Sequence, residues 1–250
     1  MNARHLAPGE LYRDSAVVLR TYKLRESDRI VVLMSKSHGK VRAVAKGVRR
    51  TTSKFGSRLE PMSHAEVLLR KGRELDLINQ VDTIDSISPM LSSLERAAQG
   101  MAVVEAVDQL SLEGESDERL YTMLVGVLRT IGEHPSPLNV AAFFWKVLAV
   151  AGVEPVLESC VRCDESIEDG VELVAFDLDQ GGALCRSCRS GVAVSSDALE
   201  AVREILGGRL RQALAREESP VTGEVTALAT RALEHHIERR LRASSIFGRG

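Results

Sequence analysis

The 250-residue chain lacks any apolar run long enough to cross a bilayer, for which about 18–20 residues are needed. Its longest apolar stretch, Val140 to Val153, is interrupted by Lys146. The opening residues, Met1 to Glu10, contain no apolar h-region, so no secretory signal is expected and a cytoplasmic setting follows. Catalytic signatures are missing as well. Gly39-Lys40 has no glycine at the distance a P-loop requires, and neither GxSxG nor HExxH occurs. No catalytic centre is expected. Asp and Glu are absent between Lys36 and Arg58, and cysteine is absent outside one short window. Those two local absences frame everything distinctive about the chain.

The net charge of −2 conceals an asymmetry. Residues 1–80 hold 17 Lys and Arg against 8 Asp and Glu, whereas residues 81–250 hold 16 against 27. Segments of opposite charge have different partners. The acid-free window carries Lys36, Lys40, Arg42, Lys46, Arg49, Arg50, Lys54 and Arg58. Eight cations without a local counter-ion repel one another. A polyanion relieves that repulsion, and its condensed cations are released on binding. Gly47 to Gly56, rich in Thr, Ser and Gly, reads as a mobile loop in which Phe55 could stack on a base. No helix-turn-helix pattern carries these cations, so sequence-tolerant binding of single strands is expected rather than base readout. A solvated basic face with no partner, or an anionic membrane surface, fits the charge less well.

The first 85 residues have the pattern of strands. Ser15 to Tyr22, Arg29 to Met34 and Val41 to Ala45 are short β-branched runs, and Ser37 to Lys40 forms a turn between the last two. The third run alternates, with Lys40 and Arg42 on one face and Val41 and Ala43 on the other. Ala65 to Arg70 and Glu74 to Ile78 follow, joined at Lys71-Gly72-Arg73 as a hairpin. Five short strands close most economically as an OB-type barrel. From Ser88 the period becomes helical. Helices are expected after Ser92 (paired with Glu95 as a capping box), after Ser116, after Ser136-Pro137, from Ser196 to Ile205, and from about Thr222 to Leu241. The expected fold is α+β: an OB barrel over 1–85, then a helical domain over 86–250 with a zinc-ribbon-like insertion near 153–194.

That insertion carries all four cysteines, as Cys160-x-x-Cys163 and Cys185-x-x-Cys188. Two residues between thiolates make a tight knuckle that directs both sulfurs to one ion, and two knuckles complete a tetrahedron. Arg162 and Arg186 help to offset the charge of four thiolates. Disulfides suit a cytosolic protein poorly, and a redox site needs only one such motif. Four protein ligands leave no position for water. One structural Zn2+ on Cys160, Cys163, Cys185 and Cys188 is therefore expected. Asp177 with Asp179, and His235-His236, are weaker metal candidates, better explained as a polar strand face and a helix surface.

The segment Gly39-Lys40-Val41-Arg42-Ala43-Val44-Ala45-Lys46-Gly47-Val48-Arg49-Arg50, continuing through Ser53-Lys54-Phe55 to Leu59-Glu60-Pro61, resembles the RecO family of DNA repair proteins. Arg25 to Ile30 with Leu33, and the order barrel, helices, CxxC pair, helices, are similar too. The resemblance implies a recombination mediator, nucleoid-associated and not an enzyme, that binds single- and double-stranded DNA and anneals complementary strands. Its implied partners are RecR, in some lineages RecF, the C-terminal tail of single-stranded DNA-binding protein and, indirectly, RecA. It assigns DNA contact to Lys40, Arg42, Lys46, Arg49 and Arg50, while Lys36, Lys54 and Arg58 rest on charge. Two other classes stay open: a nuclease, which would need clustered carboxylates beside the basic window, and an RNA-binding or transcription-associated adaptor.

Overall fold

A computed structural model describes residues 6–48 and 55–242. By internal packing the chain divides after His134 into two compact units.

The first unit opens with β1 (Leu11–Leu24), β2 (Asp28–Ser35), β3 (Gly39–Ala45), β4 (His64–Arg70) and β5 (Asp76–Asp85). They close a barrel in the order β1-β2-β3-β5-β4, antiparallel except for the β3–β5 pair. This is the OB arrangement. The inward positions follow the alternation in the sequence: Val31 and Leu33 of β2, Val41, Ala43 and Ala45 of β3, and Val67 and Leu69 of β4 fill the interior. Strand β1 changes phase at a bulge between Val18 and Arg20. The extra residue, Leu19, is buried, and Arg20 and Tyr22 then fall on the outer face.

Two helices complete this unit: α1 (Leu94–Leu110) and α2 (Glu118–Glu133). Each begins one residue later than expected. Ser93, not Ser92, accepts the Arg96 amide, and Asp117, not Ser116, accepts the Leu120 amide. Helix α2 reaches the barrel through polar groups. His64 Nδ1 lies 2.6 Å from Asp85, its Nε2 lies 2.8 Å from the Tyr121 hydroxyl, and Arg129 Nε donates to Asp85 at 3.0 Å.

The second unit packs α3 (Asn139–Val150), α4 (Ser196–Leu206), α5 (Leu210–Leu214) and α6 (Pro220–His236) against one another and carries a small sheet. The sheet runs β7-β6-β8, from β6 (Leu173–Asp177), β7 (Gly182–Cys185) and β8 (Val192–Ala193). Its Phe176 meets Trp145 of α3 with ring centroids 5.9 Å apart, which anchors the cysteine-bearing segment to the helices. Ser136-Pro137 lies before α3, and no side chain caps that helix. Helix α4 is capped by Ser195 and α6 by Ser219 in a capping box with Thr222. Helix α5 has no counterpart in the sequence expectations.

Candidate nucleic-acid interface and metal centre

Strand β3 places Lys40 and Arg42 outward because Val41, Ala43 and Ala45 are taken up by the barrel core. Neither cation is left alone. Lys40 is only 14% exposed, and its ammonium donates to the Asp108 backbone carbonyl at 2.6 Å and lies 3.4 Å from the Asp108 carboxylate. It thus caps the last turn of α1, where unpaired carbonyls concentrate negative potential. The same carboxylate, 4% exposed, binds Arg20 Nε at 2.9 Å. One acid shared between two cations leaves this cluster with net positive charge.

The segment after α1 runs beside β3. The Gly114 amide donates to the Lys40 carbonyl at 3.2 Å, and Glu113 comes within 3.7 Å of Arg42. Gly39 makes this approach possible. Its φ is +66°, and a Cβ there would fall 1.8 Å from the Glu115 carbonyl oxygen. Lys36 pairs with Glu118 at 3.2 Å, with both side chains exposed. Lys36, Lys40 and Arg42 therefore do have counter-ions, supplied from 68 to 82 residues further along the chain. The pairs of Lys36 and Arg42 are solvated and contribute little to stability. Lys46 is exposed just past β3, beside Asp28, whose carboxyl is held below its usual range mainly by the Gly47 amide. Arg58 is exposed on a 3₁₀ turn at Gly56–Leu59. Arg49, Arg50 and Lys54 lie outside the described residues.

Phe55 departs from expectation. It is 2% exposed and belongs to the barrel core, so it offers no ring to a base. Among the described residues the exposed aromatic is Tyr22, 41% exposed, with the Arg20 guanidinium 4.9 Å from its ring centre. No sequence signal marks Arg20 and Tyr22 as outward, because the bulge in β1 breaks the alternation that a sequence pattern would follow.

The four cysteines converge. All four sulfurs lie within 4.8 Å of one another, with Cys163 and Cys185 Sγ 3.7 Å apart and no disulfide formed. Four thiolates around a tetrahedral zinc would be separated by about 3.8 Å. The first knuckle is shaped by the Asp164 amide donating to the Cys160 carbonyl and by the Cys160 amide donating to that of Glu165, both at 2.9 Å. Burial pushes the Cys160 thiol up, but the amides of Cys185, Arg162 and Cys163 outweigh it and bring the group down to about 6. At Cys163 the Glu165 amide favours the thiolate, yet burial and the neighbouring sulfurs prevail and push it up to about 12. A cation among these sulfurs would relieve that opposition.

The two arginines differ in use. Arg162 bridges the knuckles, donating to the Cys188 carbonyl at 3.0 Å and to Ser190 Oγ at 2.9 Å. Arg186 instead pairs with Glu172 at 2.9 Å on the surface. Asp177 is committed to its turn, accepting the amides of Asp179 and Gln180 at 3.0 and 3.1 Å. His235 and His236 lie in the last turn of α6, with His235 3.5 Å from Asp179. No helix among the described residues is long and apolar enough to cross a membrane.

Comparison with known proteins agrees with this architecture. A family model described as recombination protein O N terminal matches residues 10–87, and one described as recombination protein O C terminal matches residues 91–245. The DNA repair protein RecO of Nocardioides sp. (strain ATCC BAA-499 / JS614) is 45% identical over 183 residues, 72% of this chain and 75% of that protein. With both halves of the chain matched, the protein belongs to the RecO family of DNA repair proteins.

Proposed function

We propose that the chain is a recombination mediator that binds DNA, anneals complementary single strands and helps to load RecA onto DNA covered by single-stranded DNA-binding protein. The observation that carries this reading is the outward row of cations on a closed barrel. Lys36, Arg42, Lys46 and Arg58 are the proposed phosphate contacts, together with Arg49, Arg50 and Lys54. Lys40 adds positive potential while it holds Asp108. Annealing requires no bond chemistry. Phosphates of two strands must be neutralised while the bases stay accessible, and thermal search then completes the pairing. In this reading the barrel domain, 1–85, grips DNA. The helical domain, 86–250, with its cysteine segment near 153–194, receives RecR, in some lineages RecF, and the acidic tail of single-stranded DNA-binding protein. The setting is the cytoplasm, at the nucleoid.

The ion assigned to Cys160, Cys163, Cys185 and Cys188 is Zn2+. When bound it supplies folding energy rather than reactivity, because four thiolates fill its tetrahedral shell. The combined variant Lys46→Glu with Arg49→Glu tests the central step. Annealing of complementary oligonucleotides, followed by fluorescence quenching, should be abolished while the far-UV circular dichroism spectrum is retained. Parental annealing rates in that variant would remove the basic segment from the mechanism.

A further inference from the structure

The corner of the second unit where α3 and α6 end encloses a cavity of 450 Å³, within the range of ligand pockets, about 300–1,000 Å³. Its inner lining is apolar and buried, from Trp145 and Leu148 of α3 and Phe176 of β6. At the mouth Val153 and Val156 are 42% and 44% exposed, so the apolar surface continues out to solvent. Backbone bonds fix that mouth: the Val156 amide donates to the Gly181 carbonyl at 3.0 Å, and the Ala183 amide to the Val156 carbonyl at 2.8 Å. The rim is acidic. Glu154 is exposed and, among the described residues, pairs with no cation. The Asp179 side chain is 88% exposed, with His235 3.5 Å away. No lysine or arginine among the described residues lines the cavity. Helices α3 and α6 bring their last turns to it, through Leu148 and His236, and a helix C-terminus adds negative potential.

We infer that this cavity docks a peptide segment of a partner protein in which apolar side chains adjoin a lysine or arginine. Charge complementarity selects the occupant. An apolar side chain is buried against Trp145, Leu148 and Phe176, while the cation meets Glu154, Asp179 and the two helix ends. A purely apolar occupant leaves the rim unpaired, and an acidic one is repelled by it. A peptide also brings what a small organic cation lacks, a carbonyl at every residue. The Trp145 indole nitrogen is buried without a hydrogen-bond partner, and a backbone carbonyl of the docked segment would give it an acceptor.

The test exploits Trp145, the only tryptophan of the chain. The full chain would be titrated with three blocked pentapeptides free of aromatic residues. Between terminal glycines, one has two leucines flanking an arginine, one two leucines flanking a glutamate, and one two serines flanking an arginine. Calorimetry gives the affinity, and Trp145 emission reports where the peptide sits. The leucine–arginine peptide should bind saturably and shift the emission in parallel. The other two should bind at least about tenfold more weakly, the low end of what burying one apolar side chain contributes. Glu154→Gln combined with Asp179→Asn changes two exposed side chains. It should keep the parent's circular dichroism spectrum while removing the preference for arginine over glutamate. Binding that leaves Trp145 emission unchanged, a glutamate peptide bound as tightly as its arginine counterpart, or a double variant that retains the preference would overturn the inference. No saturation by about 1 mM leucine–arginine peptide would do the same. A dimer in sedimentation equilibrium whose formation itself shifts Trp145 emission would make a second copy of the chain the occupant, and refute the peptide.

Discussion

Asp108→Asn removes the buried acid that two cations of the barrel face, Arg20 and Lys40, share. The native carboxylate is nearly inaccessible and holds Arg20 at 2.9 Å and Lys40 at 3.4 Å. Removing one partner of a fully buried ion pair costs about 3–5 kcal/mol. Two features reduce that cost here. Lys40 keeps its bond to the Asp108 backbone carbonyl at 2.6 Å, and Arg20 is 47% exposed and remains hydrated. The expected loss is about 2 kcal/mol, comparable to one hydrogen bond to a charged group. With a urea m-value of about 2 kcal/mol/M, the unfolding midpoint of the barrel-bearing unit falls by about 1 M. The same substitution deletes a negative charge next to the proposed phosphate contacts, so single-strand affinity at low salt should rise. A midpoint within about 0.2 M of the parent would show that Asp108 does not hold this corner of the fold. An unchanged or weaker affinity would place the anion elsewhere.

Two further outcomes follow from the sites. Cys163→Ser or Cys185→Ser should release the metal, counted by mass spectrometry, and lower the melting temperature of the helical unit, since a structural zinc can supply on the order of 10 kcal/mol; unchanged metal content in either variant would contradict the cysteine assignment. At Asp85, burial raises the carboxyl, but hydrogen bonds from His64 and Arg129 prevail and leave it below its ordinary value of 3.8. A depressed carboxyl stabilises fully above its unfolded value and loses that contribution as pH falls through the folded one. Unfolding midpoints should therefore decline below about pH 4, and Asp85→Asn should flatten that decline, whereas a variant with the parent's acid limb would remove Asp85 from it.

What the sequence displayed, and what it hid, follows from the range of each interaction. The alternation of β3 is local, so the inward Val41 and Ala43 and outward Lys40 and Arg42 were legible. The cysteines were legible because knuckle spacing is itself the chemistry. The starts of α1, α2 and α4 were legible to within a residue. Ser92 and Ser93 can both cap, as can Ser116 and Asp117, and the path of the entering chain decides between them. Phe55 was misleading because its polar neighbours suggest a mobile loop, whereas burial of a large ring in the barrel interior outweighs their preference. The counter-ions were invisible, since Asp108, Glu113 and Glu118 meet Lys40, Arg42 and Lys36 only after the chain has folded back. The outward turn of Tyr22 depended on one inserted residue, Leu19, which no periodic pattern announces.

The most direct check of the whole account is the affinity of the parent protein for a single-stranded oligonucleotide across a salt series. Several phosphate contacts require the logarithm of the binding constant to fall steeply and linearly with the logarithm of salt concentration, by about 0.7 per contact. A flat plot, or no retention of the strand at the lowest salt, would mean that the barrel's cations serve only their own acidic neighbours.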